Sequence, residues 1–204
     1  MKIIFATGNP GKLREIKALF SNLDLEILTM KEAGIDLEII EDGKSFEENA
    51  LIKCRTVGLQ RDAIVMGEDS GIEIDALLKL PGIYSARFLG DTSERDVNLM
   101  LCEKMKEVPE EKRTARFVAC LAALFPDGKE ELTKGVIEGR ITTELRGSNG
   151  FGYDPIFYVP EIGKTTAEIP MEEKSAISHR GQALRKMKPI IEQWMKDHES
   201  TNRK

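Results

Sequence analysis

The chain has 204 residues, and several things are scarce in it. Its three cysteines, Cys54, Cys102 and Cys120, lie far apart and form no C-x-x-C pair. That argues against a disulfide framework or a thiolate zinc site and for buried thiols in a reducing, cytoplasmic setting. Long apolar runs are missing. FVACLAALF (117–125) is far too short to cross a bilayer, and KIIFA (2–6) is too short for a signal peptide. An excess of positive charge is missing too. A net charge of −5 gives no support to a general binder of nucleic acid or membrane, so an anionic ligand has to be met by local lysines and arginines, with or without a metal. There is no internal repeat and no low-complexity linker. What remains is an ordinary globular composition, 41% hydrophobic and 32% charged, long enough to bury about 70% of its unfolded surface without staples. The expectation is a single domain, 1–204, built as two joined lobes.

Apolar spacing places the elements. KIIFA reads as a strand, and Leu13, Ile16, Leu19 and Phe20 give the next segment a helical stripe. LEIL (25–28) and LEII (37–40) read as short strands. Residues 45–60 read as a helix with a Ser45–Glu48 capping box, and residues 93–108 as a helix capped by Ser93. AIVM (63–66) is a buried strand, GEDSG (67–71) a turn, and IEIDAL (72–77) a second strand. Residues 114–125 and 131–141 flank the turn signal PDGK and form a long hairpin. Residues 148–159 are a glycine-rich loop running into a strand. The last helix starts near His179 or Gly181 and passes Trp194, with Pro189 as a possible kink and 198–204 as a frayed tail. Early alternation of strand and helix followed by a hairpin predicts an α/β fold with a mixed sheet flanked by helices and a cleft between lobes.

Four stretches carry candidate chemistry. Thr7, Gly8, Asn9, Pro10, Gly11 and Lys12 form a small turn between a strand and a helix, where backbone N–H groups and a lysine favour phosphate. The spacing is too short for G-x-x-x-x-G-K-[ST]. Glu41 and Asp42 precede a helix, and Lys53 follows in it. GEDSG sets Glu68 and Asp69 beside Ser70, and because neighbours in an extended chain point to opposite faces, only one of the two carboxylates faces a given site. Hard oxygen ligands on separate loops with lysines nearby suit Mg2+ and phosphate, and Glu41 with Asp69 suffice for one ion. Phe151, Gly152, Tyr153 and Asp154 form a loop on which Phe151 can stack on a base. Lys174 lies in EEKSAISHR, and His179 with Arg180 can offer several donors to one acceptor-rich ligand. Each feature also has an ordinary reading. Acidic residues cap turns and helices, Lys53 and Lys174 can be solvated surface charges, a lone histidine is more often structural, and Tyr153 suits a core.

Taken together, TGNPGK, SFEENALIKC, EDSGIEIDAL, PGIYSARF, GFGYDPIF and EKSAISHR stand in the order and spacing of the inosine triphosphate pyrophosphatase family, which the chain resembles from Lys2 to about Trp194. The resemblance implies an elongated mixed α/β protein, usually a homodimer, that uses Mg2+ to hydrolyse ITP, dITP and XTP to the monophosphate and pyrophosphate. It implies that Thr7 to Lys12 hold the triphosphate, Asn9 and Lys12 most directly. By the same resemblance Glu41 and Asp69 look like the metal-linked carboxylates, with Asp69 the base for water, Ser70 follows as a substrate contact, and Phe151 to Asp154, Lys174, His179 and Arg180 match the residues around the nucleoside. Lys12, Lys53 and Arg87 are candidates to neutralise phosphate charge. Relatives commonly carry Asp-Asp before Ser-Gly. Here the first is the longer Glu68, which is therefore left out of the metal site. A non-catalytic nucleotide sensor would keep the lysines without needing Glu41 and Asp69, and a general nucleotide pyrophosphatase would accept other bases.

Overall fold

The computed structural model describes residues 1–21, 25–60, 62–88 and 90–201. Its centre is one seven-stranded sheet in the order β2-β1-β3-β4-β5-β6-β7. Strand β1 (Lys2–Ala6) pairs in parallel with β2 (Glu26–Thr29) on one side and with the start of β3 (Ala63–Ile74) on the other. Antiparallel pairing then continues through β4 (Thr114–Leu124), β5 (Glu130–Ile141), β6 (Phe157–Val159) and β7 (Lys164–Thr165). The mixed sheet and the long hairpin are as the sequence predicts.

Side-chain alternation along β3 and β4 sorts the helices onto the two faces. Ile64 and Met66 pack with α1 (Pro10–Leu19) and α5 (His179–Thr201), through Ile16, Leu184, Met187 and Ile191. Farther along the same face, Ile72 and Ile74 pack with α3 (Glu94–Lys106), through Val97, Leu101 and Met105. The opposite face carries α2 (Phe46–Val57), whose Phe46, Ala50 and Cys54 meet Val65, Val118, Cys120 and Ala122. A short helix, α4 (Met171–Ile177), leads into α5. One face of the sheet therefore holds two apolar clusters, and between them β3 presents Glu68 and Ser70.

Four local expectations are corrected. GEDSG is not a turn, because β3 runs unbroken from Ala63 to Ile74. Its glycines answer crowding instead: a Cβ on Gly67 would collide with the Ala50 carbonyl of α2, and one on Gly71 with Ser85 Oγ and the Gly82 carbonyl. IEIDAL is strand only to Ile74 and then a 3-10 turn, Asp75–Leu77. LEII (37–40) forms no strand; β2 pairs only with β1, and Leu37 and Ile40 are exposed. The capping box is half formed, with Ser45 Oγ accepting from Glu48 N while the Glu48 carboxylate accepts from Lys44 N. Helix α5 continues past Pro189 to Thr201 and so takes in residues 198–201 of the expected frayed tail; residues 202–204 lie outside the described residues.

Candidate active site

The turn from β1 into α1 is organised by Asn9. As N-cap, its Oδ1 accepts from Gly11 N at 2.9 Å and Lys12 N at 3.2 Å, while Thr7 Oγ1 accepts from Asn9 N at 3.2 Å. Pro10 in the first turn has no N–H. The first N–H groups of α1 are thus already satisfied, and the Asn9 Nδ2 amide and Lys12 are side-chain donors that this turn can offer a phosphate. Lys12 is nearly buried, with Nζ 3.7 Å from Glu68 Oε1. Burial pulls its pKa down, and the Glu68 charge opposes that. Gly11 is glycine because a Cβ would sit 2.8 Å from the Phe151 ring.

Strand β1 ends opposite Gly67, so β3 beyond it has no strand neighbour on that side until the bridge from Glu73 to Pro81. Along this open edge Asp69 and Glu68 point to opposite faces. On the α2 side, Lys53 Nζ lies 2.8 Å from Glu41 Oε2, 3.3 Å from Asp69 Oδ1 and 2.9 Å from the Glu68 carbonyl oxygen. The surface reading of Lys53 is wrong, since the side chain is buried in this knot. Asn49 Nδ2 donates to Asp69 Oδ2 at 3.0 Å, and Asn49 Oδ1 accepts from Gly43 N at 2.9 Å. Among the described residues no three Asp, Glu, His or Cys side chains form a metal cage. Glu41 and Asp69 nevertheless converge on one cationic position, held here by the Lys53 ammonium. That donor set suits a Mg2+ that takes its other ligands from water and phosphate.

On the other face, Glu68 is fully buried and pairs with Arg180, whose Nε is 3.0 Å from Oε1. Arg180 also pairs with Glu15 through Nη1 and donates to Ser70 Oγ at 3.2 Å. Glu15 Oε1 in turn holds Lys174 Nζ at 3.0 Å, and Lys174 reaches Asp154 Oδ2 at 2.6 Å. Burial works against the Glu68 charge, but Arg180 and Lys12 outweigh it and hold the carboxyl well below the usual carboxylate range. Burial opposes the Arg180 charge as well, but Glu68 and Glu15 outweigh it and raise its pKa. His179 is driven well below 6.5 by burial and then by the Arg180 charge, so it is neutral; it stacks on Phe117 with ring centroids 4.8 Å apart, and its buried Nδ1 has no partner among the described residues. Phe151 lies beneath two cations, 4.9 Å from Lys174 Nζ and 5.6 Å from the Arg180 guanidinium carbon. Tyr153 belongs with the core, and its hydroxyl donates to the Ser85 carbonyl at 2.8 Å.

These groups line two adjoining hollows that share Asn9. One takes in Lys12, Ser70, Phe151, Lys174, His179 and Arg180. The other takes in Thr7, Gly8, Glu41 and Lys53. The first holds the aromatic ring with its two cations, and the second holds the Glu41–Lys53 pair. Arg87 is exposed, stands over Tyr84 and donates to the Glu41 carbonyl oxygen at 3.4 Å. Glu15 and Asn49 are the residues that the sequence reading missed. Each had a signal, since Glu15 follows Lys12 by three positions and Asn49 precedes Lys53 by four, spacings that share a helix face.

The model of the Ham1 family matches residues 3–190. A dITP/XTP pyrophosphatase of Bacillus cereus is 45% identical over 196 residues, which are 95% of this chain and 96% of that one. A dITP/XTP pyrophosphatase of Thermus thermophilus is 46% identical over 185 residues, 91% of this chain and 89% of that one. Among solved structures, a HAM1 protein from Coxiella burnetii superposes with a TM-score of 0.84 at 36% identity, covering 95% of this chain and 99% of that one. The Ham1 protein of Staphylococcus aureus gives 0.83 at 36% identity, covering 94% and 98%.

Proposed function

The chain belongs to the Ham1 family, and from that premise we propose that it hydrolyses deaminated purine nucleoside triphosphates, ITP, dITP and XTP, to the monophosphate and pyrophosphate, removing them from the nucleotide pool. The observation that carries this reading is continuity. A hollow with a stacking ring opens at Asn9 onto a second hollow where two carboxylates share one cation.

Asn9 Nδ2, Lys12 and Lys53 offset the charge of the triphosphate and of the leaving pyrophosphate. Asp69, oriented by Asn49 and Lys53, takes a proton from water for in-line attack on the α phosphorus. Glu41 and Asp69 would hold Mg2+, which when bound supplies further charge neutralisation on the phosphate oxygens. Glu68 serves differently, as the buried counter-charge that fixes Arg180. Arg180 and neutral His179 face the purine with donors for the O6 acceptor of hypoxanthine or xanthine, where adenine would bring an opposing amino group. The protein works as one domain of two lobes about this cleft, in the cytoplasm and as a homodimer.

The test is a nucleotide panel of ITP, dITP, XTP, ATP and a pyrimidine triphosphate with Mg2+, read as pyrophosphate release. Selective release from the deaminated purines is expected. Orthophosphate instead of pyrophosphate, or equal turnover of ATP, would overturn the reading.

A further inference from the structure

One helix that carries none of the residues assigned so far reaches the nucleoside end of the cleft. Gly152 N–H donates to Glu94 Oε2 at 2.8 Å, and the Gly152 carbonyl accepts from Asn98 Nδ2 at 2.9 Å. Glu94 and Asn98 stand four positions apart on α3, so both side chains leave the same face of that helix. Gly152 is thus gripped at its N–H and its C=O by one rigid element. Its φ is +61°, yet a Cβ there would meet nothing within 4 Å. Glycine is needed at this position for conformation and not for space, and the two bonds from α3 hold that conformation. Phe151, immediately before it, forms part of the cleft wall, as do Glu94 and Asn98 themselves. Asn98 is a poor choice for packing alone. It is 2% exposed and its Oδ1 has no partner among the described residues, a burial that costs stability. Its amide N–H to Gly152 is the interaction the residue supplies in return.

We infer that Glu94 and Asn98 are positioning residues, a clamp that sets Phe151 against the nucleoside without touching the phosphate half of the ligand. The identity of that ligand rests on the function proposed above. The test compares two probes by calorimetry, IMP for the nucleoside end and tripolyphosphate for the phosphate end. Asn98→Leu and Glu94→Ala should each weaken IMP about three- to tenfold, the worth of one hydrogen bond, and leave tripolyphosphate unchanged. Glu94→Gln makes the same charge change as Glu94→Ala but keeps an acceptor for the Gly152 N–H, so it should recover most of the IMP affinity. The clamp is refuted if Glu94→Ala and Glu94→Gln bind IMP equally, or if both probes weaken together. Should Asn98→Leu fail to fold, the exposed Glu94 pair decides alone. Wild-type protein that binds IMP but releases no pyrophosphate from ITP sinks the proposed function and leaves the clamp standing; wild-type protein that does not bind IMP sinks the clamp.

Discussion

Asp69 has both carboxylate oxygens occupied, Oδ1 by Lys53 and Oδ2 by Asn49, so its direction is set before substrate arrives. Asp69→Asn keeps the shape and removes the proposed base, and kcat on ITP should fall about 10²–10⁴-fold. A folded variant with wild-type turnover would place the base elsewhere. Arg180 is a different kind of residue, because it neutralises two buried carboxylates, Glu68 and Glu15. Arg180→Ala should therefore cost about 3–5 kcal/mol of stability on top of any loss of base recognition. Adding Glu68→Gln should return part of that loss in a urea melt, and strictly additive losses would contradict the pairing. The same groups set the acid limit. His179 is depressed by burial and by Arg180, so its contribution is whole above the unfolded value of 6.5 and fades as pH falls below it. Glu68 is depressed by Arg180 and Lys12 against its burial, so its contribution is whole above 4.5 and fades as pH falls toward its lower folded value. Tm should drop in two stages on acidification, and the upper stage should be missing in His179→Phe.

At the scale of elements, Asn9 combines the α1 cap with the phosphate donor proposed above in one side chain. Asn9→Asp keeps an oxygen for Gly11 N and Lys12 N but replaces the amide donor with an acceptor, so Tm should hold while KM for ITP rises. Asn9→Ala loses both, and should cost about 0.5–2 kcal/mol of stability as well. If the two variants have the same Tm, the cap contributes nothing. Elements whose apolar period dominates were legible from sequence: α2, α3, and the β4–β5 hairpin around PDGK. The continuity of β3 was not, because Gly67 and Gly71 look like turn residues until Ala50 and Gly82 are seen pressing on them from other elements. The partners of Lys53, itself a candidate from the sequence, were hidden for the same reason. Helical spacing puts it beside an apolar stripe, but its partners, Glu41 and Asp69, arrive from a loop and a strand that local pattern does not bring together.

At the scale of the molecule, the site is where an amphipathic rule is broken. Along β3, the side turned to α1, α5 and α3 is apolar except at Glu68 and Ser70, and the buried charges of Glu15, Lys174, Asp154 and Arg180 gather at that break. The motifs named these residues from the sequence, apart from Glu15, but which of them pair could not be read, since Glu15 and Arg180 are 165 positions apart. The lysine seated between Glu41 and Asp69 has a consequence for handling the protein. Two carboxylates that converge on an empty space would repel each other and loosen the chain, but here an ammonium already fills that post, so folding does not wait on a metal. A preparation stripped with a chelator should stay intact, with its Tm unchanged, while pyrophosphate release from ITP stops; adding Mg2+ should then restore turnover at once, with no refolding lag. Activity and integrity would part company in a single titration, and a fall of Tm on stripping would show that the lysine is no substitute for the ion.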